Sequence, residues 1–464
     1  QRPATSDVYF SPTLGRCPLM TENFVTAHSR SWVPYVIIGA PYAWYLYCLM
    51  TNPANPIVPD SFRYLWPSDI SAEFFIGGSL SFRSLAYLLG NHPLAITSTV
   101  LMCFLAAETS LFNTFKGTRY LTNCLFALGI AVLFDSSFIL GIHQKVSPEG
   151  FFVAMHLLFI ASLFRANGGF SSILAFIIGL IFVLSRNVAP YIVIASVVAY
   201  TPFIWSRKHQ PKIFSLLLPL IIVSIIAANF TREQDSSVQM NAANNMLARV
   251  IDHPDLLKKF VSSYGMPPGP YIEACQNYVT PSTVVACFEH TALATSDMST
   301  FSYTLLDDPW GFSEWVKKHG AESWQDHLLL EQPIGTFTEF ASAFRREFET
   351  PFGGSGSNLL PFDAHSGIRA LSSATRVTTL WGICILFIAS GLAYLMFSTP
   401  SIVAGASILA GGSVANIFVS YYGDAMEIGR HTYPGYATLS IALGMLFIGV
   451  GFAIITNFRN NLDR

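Results

Sequence analysis

Residues 400–420 read PSIVAGASILAGGSVANIFVS, residues 421–432 read YYGDAMEIGRHT and residues 433–456 read YPGYATLSIALGMLFIGVGFAIIT. The first and third stretches are long and apolar enough to cross a lipid bilayer, which takes about 20 mostly apolar residues in an α-helix. The stretch between them is short and holds two acids, an arginine and a histidine. This order predicts a helical membrane protein whose polar chemistry lies in the connections between its spans.

The composition extends this prediction to the whole chain of 464 residues. Apolar residues make up 52% of it and charged residues only 12%, against roughly 25% charged residues in a soluble protein. The net charge of −2 argues against a nucleic-acid-binding protein, which carries a basic surface. The fold class that we expect is an all-α transmembrane bundle of about ten spans, at 33–50, 94–115, 121–142, 150–165, 170–185, 188–205, 212–230, 377–397, 400–420 and 433–456.

Lysine and arginine in the short connections set the orientation, because they are enriched on the cytoplasmic side of a membrane. With the N-terminus in the cytoplasm, that side receives most of these residues. The short outer segments then hold only Arg63, Arg83, Lys145, Arg186 and Arg430. We therefore expect an integral cell membrane protein with both termini in the cytoplasm and its polar face outside.

This topology divides the chain into four regions. They are a cytoplasmic segment (1–32), a membrane region (33–230) with a first outer loop at 51–93, an extracytoplasmic insert (231–376) and a C-terminal membrane region (377–464). Cys275 and Cys287 both lie in the insert, on the oxidising side of the membrane. A disulfide between them is favoured there, and two buried thiols are the alternative.

Four outer segments carry ionisable residues that need an explanation. The first holds Asp69, a carboxylate beside the membrane surface that suits a general base; capping of a short helix is the alternative. The second holds Asp135 and Glu149 on either side of a turn. Glu149 follows Ser147-Pro148, which is also a typical helix start, so capping alone explains it. Capping does not explain Asp135, which falls within a span.

The third and fourth segments combine cations with acids. Arg186 lies at the tip of a predicted helical hairpin, and its permanently charged donor fork matches a phosphate, either of a lipid headgroup or of a substrate. If the fourth segment is helical, Asp424, Glu427 and His431 fall on one face, with Arg430 beside them; an internal salt-bridge cluster is the alternative. Together, these segments favour a water-accessible outer cavity in which a lipid-phosphate-linked donor meets a polar acceptor.

The order of these segments along the chain, and their location on one side of the membrane, resemble the arrangement in the polytopic glycosyltransferases of the GT-C superfamily. The nearest resemblance is to the bacterial hexose transferases of surface and S-layer glycan assembly. Ser68-Asp69-Ile70-Ser71 resembles their Ser-Asp-Glu-Trp-like motif in the first outer loop, with Ile70 in place of the Glu. The 424–431 segment resembles their acid–Glu–Arg-His motif, and 246–266 and 315–333 resemble helices of their outer insert.

The resemblance implies transfer of a sugar from a polyprenyl-phosphate-linked donor to a glycan, lipid or protein acceptor at the outer face of the membrane. Asp69 would be the catalytic base. The donor phosphate would be bound by Arg186, Arg430 and His431, and the acceptor would be positioned by Glu149, Asp424, Glu427 and Asp135. No cofactor is certain. Because Ile70 replaces the second acid of the motif, two questions stay open: whether the chain requires a divalent metal, and whether it is a non-catalytic relative of the family.

Three other functions stay open. An oligosaccharide ligase or polymerase also has a large outer loop, but it generally relies on arginine and histidine rather than on an acid in the first loop. A transporter or flippase is suggested by Glu108 and Asp135 within the membrane, where acids are costly and usually functional. A non-catalytic subunit of a membrane complex is the third alternative, and no reading includes a nucleic-acid partner.

Overall fold

A computed structural model of the chain describes most of its helical segments. The residues that it describes are 32–51, 79–117, 120–134, 146–166, 169–206, 211–234, 236–251, 253–269, 294–297, 302–305, 311–349, 380–397, 401–423 and 428–462.

The first eight helices belong to the predicted N-terminal membrane region. They are α1 (Val33–Thr51), α2 (Leu80–Leu88), α3 (Pro93–Phe115), α4 (Tyr120–Phe134), α5 (Pro148–Arg165), α6 (Phe170–Val183), α7 (Ala189–Ser206) and α8 (Pro211–Gln234). The final three are α14 (Leu380–Phe397), α15 (Ser401–Gly423) and α16 (Ile428–Leu462). The predicted tight hairpin is present, since only residues 184–188 separate α6 from α7.

The insert contributes shorter elements between these two groups. They are α9 (Ser236–Asn245) with a π-helical turn (Met246–Ile251), α10 (Pro254–Ser263), an antiparallel pair of strands β1 (Ala294–Asp297) and β2 (Ser302–Leu305), α11 (Phe312–Trp315) with a π-helical turn (Val316–Gly320), α12 (Ala321–Asp326) with a π-helical turn (His327–Glu331), and α13 (Pro333–Glu349).

Five of the described helices are long and apolar enough to cross a membrane, as the sequence pattern predicts for a helical membrane protein. These spans are Val33–Thr51, Pro93–Phe115, Pro148–Arg165, Ile402–Gly423 and His431–Gly451. Four shorter apolar helices accompany them, at Tyr120–Phe134, Phe170–Val183, Ala189–Tyr200 and Leu218–Asn229.

The core of the bundle is built around α5, which is almost wholly buried. Its Phe152 and Phe159 pack against Phe182 of α6, with ring centroids 5.2 and 5.8 Å apart. At Gly179 of α6, an added Cβ would stand 2.8 Å from Leu220 of α8. Small residues at such positions let helices approach closely, which is how membrane helices gain packing energy.

Helices α15 and α16 form a close antiparallel pair. Ser413 donates a hydrogen bond to the Thr438 hydroxyl at 2.7 Å, and both side chains are buried. Gly435 packs directly on α15, because a Cβ there would stand 2.6 Å from Ile417 Cγ1 and 3.1 Å from the Ile417 backbone nitrogen. The two helices extend beyond the predicted spans into the connection at 421–432: α15 continues to Gly423 and α16 begins at Ile428.

The insert has its own aromatic core around Phe260, which is fully buried. Its ring contacts Tyr264, Trp315, Trp324 and His327, and the centroids lie 4.8 to 6.5 Å apart. The Trp315 indole donates to the Tyr264 carbonyl at 2.9 Å, so the polar edge of the ring is satisfied.

An ion pair borders this aromatic core. The Lys259 ammonium contacts the Glu331 carboxylate and holds the pKa of Glu331 at about 2, with a further hydrogen bond from His327 Nδ1 at 3.1 Å. Glu331 is therefore charged throughout the physiological pH range.

Three donors of the insert bind the last carbonyl groups of α15. Arg249 Nη2 donates to the Tyr421 carbonyl at 2.7 Å, Trp324 Nε1 to the Tyr422 carbonyl at 3.0 Å, and Asn245 Nδ2 to the Gly423 carbonyl at 3.3 Å. The last four carbonyls of a helix have no partner within it, and a cation near them interacts favourably with the helix dipole. The insert is thus attached to the bundle by capping α15.

We expect Gly435→Ala to lower the midpoint of thermal unfolding in detergent, because the new methyl group must displace the Ile417 side chain at its Cγ1 atom. Overpacking of this kind costs about 1–3 kcal/mol. Gly451→Ala, on the same helix with nothing within 4 Å of the added Cβ, is the matched control and should not be destabilised. Equal midpoints for the two variants would contradict the close packing of α15 and α16.

We also expect Arg249→Met to loosen the insert, at a cost of about 2 kcal/mol for a charged donor that is mostly buried. Thermal unfolding and protease cleavage within the insert should both report the change. Lys318→Met is the control, because Lys318 is exposed and pairs only at the surface with Glu314, where the expected loss is within about 1 kcal/mol. If the two variants resist protease equally well, Arg249 does not hold the insert.

Candidate functional site

Arg186 is the cation at the centre of the candidate site. It lies in the turn between α6 and α7, and only 10% of its side chain is exposed. Its Nη2 atom lies 3.1 Å from His431 Nδ1 and 3.6 Å from Glu149 Oε1. The guanidinium also covers the ring of Phe152, with Cζ 5.6 Å from the ring centroid. Residues that are far apart in the chain therefore meet at one end of the bundle.

Local sequence explains how the turn presents Arg186. The Ser185 hydroxyl and the Ser185 backbone N–H both bond the Phe182 carbonyl, at 2.6 and 2.9 Å, which closes the end of α6. The Ala189 N–H bonds the Arg186 carbonyl at 3.0 Å and starts α7. Ser81 of α2 bonds the Leu184 and Ile181 carbonyls, at 3.0 Å each. The turn is thus fixed from both sides, so the position of Arg186 is set by backbone contacts.

The partners of Arg186 stand at helix starts. Helix α5 begins at Pro148 with Ser147 extended before it, so Glu149 lies in the first turn, as its Ser-Pro-Glu pattern predicts. His431 lies in the first turn of α16. Because a guanidinium can only donate hydrogen bonds, His431 Nδ1 must accept from Arg186. The imidazole is therefore neutral in this arrangement, with its proton on Nε2.

One donor of the site has no acceptor among the described residues. Arg186 Nη1 is buried and makes no hydrogen bond to any residue that the structure describes. Glu149, 13% exposed, stands too far away for a short hydrogen bond and balances the charge without occupying this nitrogen. An unused charged donor in a buried place is costly, so the arrangement favours an anionic or strongly polar acceptor beside Nη1.

A second polar group lies deeper in the bundle, below Phe152. His156 of α5 and Ser196 of α7 are fully buried, and neither imidazole nitrogen nor the Ser196 hydroxyl finds a hydrogen-bond partner in the described part of the chain. Both face Gly412 of α15, where an added Cβ would stand 2.8 Å from His156 Nε2 and 2.6 Å from Ser196 Oγ. Asn416, one turn along α15, likewise leaves its Nδ2 unbonded among the described residues. Buried polar groups of this kind usually bind water.

Glu108 is a further buried acid, in the C-terminal half of α3. Within the described ranges, neither of its oxygens meets a hydrogen-bond donor in good geometry. Tyr42 of α1, equally buried, is the polar side chain that interacts with it electrostatically.

Several predicted site residues fall outside the described residues. They are Asp69, Asp135, Asp424, Glu427, Cys275 and Cys287, and the side chain of Arg430 is likewise not described. The structure therefore brings together Arg186, Glu149 and His431. In the ranges that are described, no three His, Cys, Asp or Glu residues are grouped as for a metal ion.

No protein-family model, no curated protein and no solved structure matches the chain. Its function must therefore be argued from the chemistry of its own residues.

Some contacts of the site have no signal in the sequence. Phe152 under Arg186 is one of many phenylalanines in apolar helices, and only the tertiary structure distinguishes it. The same holds for Arg249, whose side chain also lies over the rings of Tyr421 and Tyr422, at 4.7 and 5.2 Å. From the sequence alone, an arginine in a polar insert is expected to be solvated, because its contacts with a distant helix are not visible there.

A double-mutant cycle tests the Arg186–Glu149 pair. Removing one member leaves a mostly buried charge unbalanced, so Arg186→Met alone should cost about 2 kcal/mol or more in thermal unfolding. The double variant Arg186→Met with Glu149→Gln should lose about 1 kcal/mol less stability than the sum of the two single variants, because the effects of substitutions at contacting residues are not additive. The exposed Lys318–Glu314 pair, treated in the same way, should show almost no coupling. Additive losses at Arg186 and Glu149 would mean that the two side chains do not interact.

Proposed function

We propose that the chain is a membrane glycosyltransferase that moves a sugar from a polyprenyl-phosphate-linked donor to a glycan, lipid or protein acceptor. The observation that carries this proposal is Arg186: a mostly buried guanidinium at one end of a membrane bundle, with one nitrogen that has no acceptor among the described residues. In the proposal, the chain has about ten spans in a GT-C-like bundle. Both termini are cytoplasmic, and the insert and the site face outward.

The position of Arg186 suits a lipid-linked phosphate better than a free one. The α6–α7 turn lies at the end of two apolar helices, and His431 begins a membrane span. A polyprenyl chain stays in the bilayer and leaves its phosphate at this level. The planar guanidinium offers two parallel donors to phosphate oxygens, and such charge-assisted bonds are the strong ones.

The chemistry assigned to the site follows from where charge develops. The acceptor hydroxyl attacks the anomeric carbon, the bond from that carbon to the phosphate oxygen breaks, and the phosphate departs with a new negative charge. Arg186, with Arg430, stabilises this charge. Asp69 takes the proton of the acceptor hydroxyl.

The remaining residues of the site position the reacting groups. His431 accepts a hydrogen bond from Arg186, and Glu149 balances its charge. We assign both residues the role of orienting the guanidinium, so that its Nη1 edge faces the donor phosphate. The acids of the neighbouring connections, Asp135, Asp424 and Glu427, position the acceptor in the proposal.

A transporter or flippase is the second candidate, and Glu108 is the observation that favours it. A carboxyl group wholly buried inside the membrane, next to Tyr42, is the kind of group that binds protons or ions during transport. Glycosyl transfer at the outer face gives Glu108 no role. Glu108→Gln therefore separates the candidates: transfer should be unaffected, whereas transport should be lost.

The test is sugar transfer by purified protein in liposomes, with a panel of polyprenyl-phosphate hexoses as donors. We expect Arg186→Gln and Asp69→Asn each to reduce turnover by about 100-fold or more, as loss of one charge-stabilising donor does. Arg165→Gln is the matched control, because Arg165 is exposed at the opposite end of the helix that carries Glu149. Undiminished turnover in Arg186→Gln would refute the role of the site, and uptake or lipid flipping that depends on Glu108 would favour transport.

A further inference from the structure

The insert carries an exposed apolar corner, formed by Leu329, Leu330, Ile334 and Phe337. Leu330 is 74% exposed and Ile334 is 82% exposed, and the other two are exposed as well. Leu329 and Leu330 lie in the π-helical turn that ends at Glu331, and Ile334 and Phe337 lie in the first turns of α13. Large exposed apolar clusters mark contact surfaces.

Helix α13 has three faces instead of the usual two. One face is buried and holds Phe340 and Phe344. A second face is exposed and polar, with Thr338 and Ser342. Between them, at the spacing of neighbouring helical turns, Ile334 and Phe337 extend the apolar surface outward from the buried face. The apolar surface of α13 thus continues from its buried face to Ile334, which is 82% exposed.

The depth of α13 decides what could cover this surface. Phe340 packs on Phe418 of α15, with ring centroids 5.1 Å apart, and Phe344 packs on Tyr436 of α16, at 5.6 Å. Phe418 and Tyr436 both lie inside membrane spans. Each stands five residues from the end of its span, which corresponds to a depth of about 8 Å at 1.5 Å per residue. That depth belongs to the second half of α13. Nearer the corner, the Tyr422 hydroxyl donates to the Thr336 carbonyl at 2.6 Å, and Tyr422 is the second-to-last residue of its span, so the corner lies at the end of the span, where lipid headgroups meet acyl chains.

Another surface of the insert has the opposite character. Lys317, Lys318 and His319 are exposed there, and Lys318 is paired with Glu314. A helix that lies in a membrane interface typically has one apolar face and polar faces beside it. Its apolar side chains reach roughly 5–10 Å into the boundary between lipid headgroups and acyl chains.

We propose that the apolar corner inserts into the lipid leaflet on the insert's side of the bilayer. Its occupant is the lipid itself, at the boundary between headgroups and acyl chains. Helix α13 packs on α15 and α16, and Ile385 and Ile388 of α14 are exposed apolar side chains of the same C-terminal region. The contact with lipid fixes the height of the insert above the bundle. It is independent of the proposed glycosyl transfer.

The experiment places a genetically encoded, environment-sensitive fluorescent amino acid at Leu330 or at Ile334 in the full chain, reconstituted in liposomes. Matched control positions are Ser342, on the polar face of the same helix, and Lys318. We expect blue-shifted emission at positions 330 and 334, several-fold stronger quenching by lipids brominated in the upper acyl chain, and protection from iodide. Emission at positions 318 and 342 should respond to iodide instead.

The opposite pattern would overturn the proposal. If iodide quenches the probe at position 334 as readily as at position 318, the corner faces water. If neither iodide nor brominated lipid quenches it, the corner is covered by protein, either a second copy of this chain or another partner. Unfolding midpoints equal to that of the unmodified chain establish that the labelled proteins are folded, which is expected because both side chains are exposed.

Discussion

The end of α15 is the point on which the arrangement of this molecule depends. Its last carbonyl groups lie where the bundle meets the insert, and a helix cannot satisfy these groups by itself. Near a membrane, an unsatisfied backbone group is especially costly. Arg249, Trp324 and Asn245 supply the missing donors. Helix α16 packs directly on α15 through Gly435 and Thr438, so the position of His431 beside Arg186 depends on the same helix.

The candidate site is therefore a property of the whole fold. Arg186 comes from a hairpin turn, Glu149 from the start of α5 and His431 from the start of α16. Each of these positions is set by backbone structure: the Ser185 contacts close the turn, and Ser147-Pro148 starts the helix. What the site offers is an oriented cation with a donor, Arg186 Nη1, that none of the described residues accepts from. That is a chemical basis for binding an anion at the membrane surface, and the proposed phosphate follows from it.

Local features were predictable from the sequence, and contacts between distant segments were not. Apolar runs indicated the helices, and Arg186 and Asn187 marked the hairpin. A polar break between two apolar runs is visible in a short stretch of sequence, so it needs no knowledge of distant contacts. The connection at 421–432 was predicted to be longer than it is. Its first residues are helical because the insert caps them, and no local pattern contains that information.

The same limit applies to the site itself. The common side of Arg186, Glu149 and His431 could be predicted from topology, but not that Arg186 Nη2 would bond His431 or lie over Phe152. Arg249 and the buried pair His156 and Ser196 could not be predicted at all, since their partners lie on other helices. The predicted helical face of Asp424, Glu427 and His431 crosses residues 424–427, which lie outside the described residues.

The most direct test of the phosphate site is a structure of the protein in lipid nanodiscs with a short-chain polyprenyl phosphate. We expect ordered phosphate density with an oxygen about 3 Å from Arg186 Nη1, the separation of a charge-assisted hydrogen bond. Its hydrocarbon chain should lie along the apolar surface of the bundle. Phosphate density at the opposite end, beside Lys116 or Arg165, with the Arg186 site filled only by water, would contradict the assignment of Arg186.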